Sequence, residues 1–248
     1  MLFRRVIQHV KDQNWTAVGI DFVIVVVGVF IGIQVSNWNS GVQDRSLDQG
    51  YMLRLHDEVE LSQARMIEIR HELQTQLKFL EQVVVAVSAE TPPNQLTQDQ
   101  CDAVFGSHIY RPTSVSIPTL DELLASGRAS VLSDEELRAS ILLFAQLRSA
   151  TEGQRAAFGV QGQVIDLSIE FPETITLNSE ITFDRFGFAP FGGHTCNIDR
   201  MIESAAFRNT LTNNLYRMTA FLTLNFEPEL DQLEQVDRLL KERLRISA

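Results

Sequence analysis

The sequence predicts a mainly α-helical protein. We expect one N-terminal transmembrane helix, then a long helix, then an extracytoplasmic helical bundle with a short irregular insertion that could include a β-hairpin. Three features predict this fold class: an unbroken apolar run near the N-terminus, a heptad stripe after it, and short capping sequences in the remainder. The predicted domains are a basic amphipathic segment at 1–14, the transmembrane helix at 15–38 and the helical domain at 39–248.

The first fourteen residues place apolar side chains on one helical face and basic side chains on the other, which is typical of a helix lying in the membrane interface. Arg4, Arg5 and Lys11 are the predicted basic anchors; a frayed basic tail is the alternative. With Asp12 they sum to +2, so the other 234 residues carry −13 of the total charge of −11. An acidic body argues against a nucleic-acid partner, which requires a basic surface.

The transmembrane helix is predicted from Trp15 to Trp38, around an apolar run from Phe22 to Ile33. At 1.5 Å per residue it extends roughly 35 Å, enough to cross a hydrocarbon layer of ~30 Å. Trp15 and Trp38 suit the two membrane interfaces, because the indole ring is apolar but carries one hydrogen-bond donor. A buried core helix and a cleaved signal peptide are the alternatives, although no small-x-small cleavage pattern follows the run.

One face of this helix is predicted to pack against another transmembrane helix. Gly28 and Gly32 form a GxxxG pattern, Ser36 extends the small-residue spacing, and Asp21 falls on the same side. Small residues allow close approach in lipid, where burial of apolar side chains provides no driving force. Asp21 would face a partner or reach the headgroup layer. The alternative is that the glycines only reflect the composition of membrane helices.

The segment QNWTAVGIDFVIVVVGVFIGIQVSNWN, residues 13–39, resembles the N-terminal signature of a family of uncharacterised bacterial single-pass membrane proteins. Residues 117–141, IPTLDELLASGRASVLSDEELRASI, are similar to a second block of that family. The resemblance implies a bacterial inner-membrane protein and assigns no catalytic residue. The distribution of Lys and Arg separately favours a cytoplasmic N-terminus and a periplasmic main domain.

A long helix is predicted over residues 42–88, continuous with the transmembrane helix or separated from it by a short break near residues 39–41. Spacings that alternate between four and three residues select ten positions, eight of them apolar, which predicts a buried stripe. The stripe consists of Leu55, Val59, Ser62, Met66, Ile69, Leu73, Gln76, Leu80, Val83 and Val87. It is interpreted as the inner face of an intramolecular bundle or as the seam of a self-associating coiled coil.

Later helices are predicted from their termini. Pro92 and Pro93 end the long helix, and capping boxes at Thr97, Thr119 and Ser133 predict three helix starts. Helices are also expected at 198–207 and 209–225, and a final helix begins near Pro228.

An irregular insertion is predicted between residues 159 and 197, with a possible hairpin around residues 177–179. Its aromatic side chains form either an exposed partner surface or a plug at the end of the bundle. These are Phe183, Phe186, Phe188 and Phe191.

Two cysteines, Cys101 and Cys196, are predicted to form a disulfide, because an even number of cysteines outside the membrane is typical of oxidising compartments. Two unrelated thiols in a cytoplasmic domain are the alternative. The five histidines show no metal-ligand spacing, and the sequence has no nucleotide-binding or hydrolase motif. We therefore expect no metal, no cofactor and no catalytic residue.

These patterns favour a non-enzymatic, membrane-anchored scaffold or accessory subunit. It would be a homo-oligomer or part of a larger inner-membrane complex, and its partners would be the lipid bilayer and other membrane proteins. The alternative is a periplasmic sensor or ligand-binding bundle that signals through a partner protein, because only about fourteen residues would face the cytoplasm.

Overall fold

The computed structural model describes residues 15–110, 116–160, 164–177 and 194–246, with side-chain surroundings from residue 22 onward except at 159–160. The described residues are mainly helical, as predicted, with one antiparallel pair of two-residue strands. The chain divides into two compact units, Met1–Tyr51 and Met52–Ala248. The predicted interfacial segment at 1–14 lies outside the described residues.

The first helix, α1, runs from Trp15 to Ala86 without interruption. It contains no proline, so every residue keeps its backbone donor. The possible break near residues 39–41 does not occur. Gly41 costs only ~1 kcal/mol of helix propensity relative to alanine, which is too little to break so long a helix. The helix ends in a turn before Pro92 and Pro93, as predicted.

Shorter helices make up the rest of the second unit. They are α2 (Gln98–Phe105), α3 (Pro118–Ala125), α4 (Glu135–Val160), α5 (Leu167–Glu170), α6 (Ile198–Glu203), α7 (Ala205–Phe221) and α8 (Glu227–Leu244). Short 3₁₀ turns cover Gly106–His108 and Ala129–Val131, and a π turn, Leu222–Phe226, joins α7 to α8.

The predicted caps hold in one case of three. Thr97 and Gln100 form the full capping box of α2. At α3 the box is wrong: the helix starts at Pro118, and the backbone N–H and hydroxyl of Thr119 both donate to Glu58, at 2.8 and 2.7 Å. At α4 the cap is Asp134 rather than Ser133, because the Asp134 carboxylate accepts the backbone N–H of Leu137 at 2.8 Å.

The C-terminal helices begin and end at positions set by Ser204 and Pro228. The chain breaks at Ser204, earlier than predicted, and the Ser204 hydroxyl caps α7 by accepting the backbone N–H of Phe207. Pro228 has no N–H, and its ring would clash with the preceding turn of a regular helix. The helix widens there into the π turn, in which Glu227 donates its N–H to the Leu222 carbonyl.

Two short strands form the one sheet among the described residues. Strand β1, Ile175–Thr176, pairs with β2, Thr195–Cys196, in antiparallel register, with Ile175 opposite Cys196. The second half of the hairpin considered around residues 177–179 lies outside the described residues.

The heptad stripe of α1 is buried inside the second unit. Nine of its ten members are at most 6% exposed, and Gln76, the remaining member, donates to the Gly106 carbonyl at 2.9 Å. The end of the stripe from Leu80 to Val87 joins a core cluster with α2, α5, α6 and α7. Since this chain covers the stripe itself, the coiled-coil interpretation of the stripe is wrong.

Polar side chains connect the elements around this core. Helix α4 packs along α8, where Gln232 donates to the Ser140 hydroxyl at 2.6 Å. The buried amide of Asn214 on α7 exchanges hydrogen bonds with the backbone of Ile165 and donates to the Ser107 hydroxyl at 3.0 Å. Buried polar groups of this kind require partners, so the bonds fix one arrangement of the helices.

Candidate functional site

The apolar segment of α1 from Phe22 to Val35 exposes its side chains on every face. Its large apolar residues are between 47% and 69% exposed, which is unusual because soluble domains bury a helix that is apolar all round. Among the described residues, this helix alone is long and apolar enough to cross a membrane. The exposed surface is therefore the main candidate for contact with lipid or with other membrane helices.

The predicted packing face is open. A Cβ atom added at Gly28 or Gly32 would meet nothing within 4 Å, and Ser36 is also exposed. Trp38 is 72% exposed, as an interfacial side chain would be. The side chains of Asp21 and Trp15 lie outside the described residues, and so do the predicted anchors Arg4, Arg5 and Lys11.

The two cysteines form the expected disulfide. Cys101 on α2 and Cys196 on β2 are bonded, with their Cα atoms 5.7 Å apart and 95 residues between them in sequence. The bond attaches the strand pair to the cluster packed on α1, and the ring of His194 lies 3.9 Å from that of Phe105 beside it. The predicted aromatic surface, Phe183, Phe186, Phe188 and Phe191, falls outside the described residues.

The structure reveals a buried carboxyl group that the sequence reasoning missed. Glu229, in the first turn of α8, has no exposed surface, and both of its carboxyl oxygens are buried without a hydrogen bond of normal geometry among the described residues. The neighbouring Thr151 hydroxyl donates to the Leu147 carbonyl at 3.0 Å instead. Burial raises the pKa of Glu229 to about 7; Glu152 adds to the rise, while the Thr151 hydroxyl and Arg148 oppose it. The carboxyl therefore takes up its proton near pH 7 and becomes neutral as the pH falls below that value.

A sequence signal for Glu229 did exist. It occupies the same heptad register as Leu233, Val236 and Leu240, all of which are buried. A single carboxylate in an otherwise apolar stripe indicates a group that the fold must hold without charge or pair with a partner.

A second buried polar group lies between α1 and α8. Asp237 accepts a hydrogen bond from Lys241 at 2.8 Å, and its other oxygen lies 3.7 Å from Nδ1 of His56. The hydrogen bond that Lys241 donates to Asp237 is the main cause that raises the pKa of Lys241. This group links helices and is remote in sequence from the predicted site residues.

Nothing in the described part of the chain forms a metal centre, since no three His, Cys, Asp or Glu side chains are placed to share an ion there. The fold and the exposed segment define a mainly helical protein with one candidate membrane-spanning helix near its N-terminus. No protein-family model matches the sequence, and no characterised protein and no solved structure is similar enough to it to match.

Proposed function

We propose that this protein is a membrane-anchored scaffold or accessory subunit of the bacterial inner membrane, without catalysis of its own. The observation that carries the proposal is the segment Phe22–Val35, where apolar side chains are exposed all round the helix. In water, that much contiguous apolar surface would drive aggregation, whereas in lipid it is solvated. Residues 15–38 would span the bilayer, with Trp38 at one interface.

The second unit is proposed to lie in the periplasm. Two features support this orientation: the basic residues that precede the apolar segment, and the disulfide between Cys101 and Cys196, which persists in oxidising compartments. Fusions at the C-terminus test it. Alkaline phosphatase is expected to be active there and green fluorescent protein dark, and the reverse pattern would contradict the orientation.

Assembly is proposed to use the face that carries Gly28 and Gly32. A second helix can approach closely there, since none of the described side chains occupies the space. The same face includes Ser36 and, by helical periodicity, Asp21, whose carboxylate would find a partner in the interface. The partner is a second copy or a helix of a larger membrane complex.

The test is a native mass measurement on gently solubilised protein. We expect a defined multiple of 28.0 kDa, or a constant set of co-purifying subunits, for the natural chain. The double substitution Gly28→Leu with Gly32→Leu is expected to dissociate this assembly. The matched control is Val26→Leu with Phe30→Leu, which alters the opposite face of the same helix and should leave the assembly intact. If the glycine variant and the control variant have the same native mass, the proposal that assembly uses the Gly28 and Gly32 face is refuted.

A further inference from the structure

A groove on the second unit lies between α1 and α2 and is not used by the proposed membrane role. Its volume is about 460 Å³, within the range of small-molecule sites. The buried side chains of Ile69, Leu73 and Ala103 line its apolar wall, and the half-buried ring of Phe79 and the side chain of Ile109 extend that wall.

The groove is held open by the fold. Gln76 on α1 donates to the Gly106 carbonyl at the end of α2, and a Cβ atom at position 106 would lie 2.9 Å from that amide. Gln100 on α2 donates to the Gln82 side chain at 3.1 Å. The disulfide at Cys101 attaches α2 to β2 as well. The two helices therefore keep a fixed separation, and a ligand would meet a preformed surface.

The described charged side chains around the groove are mostly acidic. Glu72, Asp99 and Asp102 line it, and neither Lys nor Arg is among the described residues that do; His71 is the one basic side chain there. Burial raises the pKa of Asp102, and Asp99 contributes to the rise, while Gln98 and His194 oppose it. A cation seated here would relieve the repulsion between the carboxylates and compensate the lost hydration of Asp102.

We propose that this groove binds a small organic cation with an apolar body. The ammonium group would lie against the Asp99 and Asp102 carboxylates and beside Phe79, and the apolar part against Ile69, Leu73 and Ala103. The face of the Phe79 ring attracts an alkylated ammonium through its quadrupole, which favours an organic cation over a hydrated metal ion. An anionic ligand is repelled by the same rim. This inference does not rest on the membrane assembly.

Benzyltrimethylammonium is the probe, titrated by calorimetry against the full chain in a neutral lipid nanodisc. Benzyl alcohol carries the ring without the charge, and tetramethylammonium carries the charge without the ring. We expect each to bind at least tenfold more weakly than the probe, because each lacks one half of the recognition. Equal binding of benzyl alcohol, or displacement of the probe by stoichiometric Ca²⁺, would overturn the proposal.

Two variants locate the binding. Asp99→Asn with Asp102→Asn is expected to weaken binding of the probe at least tenfold. Asp231→Asn with Glu234→Gln makes an equal change of charge on α8 and should leave the affinity unchanged. Because Asp99 lies in the first turn of α2 and Asp102 bonds Gln98, that variant could loosen α2. Thr75→Trp fills the groove from the exposed side of α1 and should also abolish binding. Undiminished binding to Thr75→Trp refutes the site.

Discussion

Two parts of α1 differ in the spacing and the exposure of their apolar side chains. From Phe22 to Val35, apolar side chains occupy every face of α1 and all are exposed. From Leu55 to Val87, the apolar residues at heptad spacing are buried against other helices of the chain, while most of the residues between them are exposed. The period of the apolar residues therefore distinguishes a helix segment covered by its own chain from one that requires another environment.

We expect the largest loss of stability from a cavity in the buried stripe of α1. Leu80 has no exposed surface, so Leu80→Ala is expected to lower the free energy of unfolding of the second unit by about 4 kcal/mol. Val85→Ala, at a side chain 65% exposed on the same helix, should change it by less than about 0.5 kcal/mol. Phe30→Ala, in the exposed segment, should also leave it unchanged. Denaturant unfolding monitored by circular dichroism measures all three, and similar losses would refute the contrast.

Removal of the disulfide should destabilise the second unit without affecting association through the exposed segment. Cys101→Ser with Cys196→Ser frees a loop of 95 residues, and we expect a loss of about 3 kcal/mol from the second unit. Chemical reduction of the natural chain should reproduce the loss. The native mass of the assembly should not change, because the bond is remote in sequence from Gly28 and Gly32. A dissociated assembly would show that association depends on the second unit.

Titration of Glu229 should affect only the buried region. Its pKa is raised from 4.5 to about 7 in the fold, so the folded state favours the neutral acid. The stability this provides is complete below pH 4.5 and is lost as the pH rises through 7, on the order of 3 kcal/mol. Glu229→Gln should remove this pH dependence, whereas Asp231→Asn, exposed two residues away, should retain it. Unfolding curves between pH 4 and pH 8 provide the comparison.

The smallest expected effect concerns a cap at the edge of the core. Thr97→Ala removes the oxygen that accepts the Gln100 backbone N–H at the start of α2, and should cost about 1 kcal/mol. Thr97→Ser keeps the oxygen and should be close to neutral. An equal loss for both variants would mean that packing of the Thr97 methyl group, rather than the cap, stabilises this helix start.

Local patterns predicted the parts of the fold that depend on nearby residues. The heptad stripe, the end of α1 before Pro92 and the Thr97 cap were all readable because the interacting groups lie within one or two helical turns. The Cys101–Cys196 bond is long-range, but only two cysteines were available to form it. Membrane insertion, orientation and the packing role of Gly28 and Gly32 remain predictions from the sequence.

Long-range partners account for the failures. Thr119 does not cap α3 because Glu58, 61 residues earlier, accepts both of its donors. Strand β1 pairs with residues 195–196, a two-residue contact that leaves almost no periodic signal. The groove combines Leu73 and Phe79 with Asp99 and Asp102, which come together only when α2 folds back beside α1. No spacing rule connects residues on two different helices.

The bond between Cys101 and Cys196 has a consequence for limited proteolysis. A single peptide-bond cleavage anywhere between these residues produces two fragments that remain one covalent molecule. The cleaved protein should therefore migrate as a full-size species without reductant and split into two bands with it. A single cleavage within this interval would therefore not release the C-terminal fragment from α1.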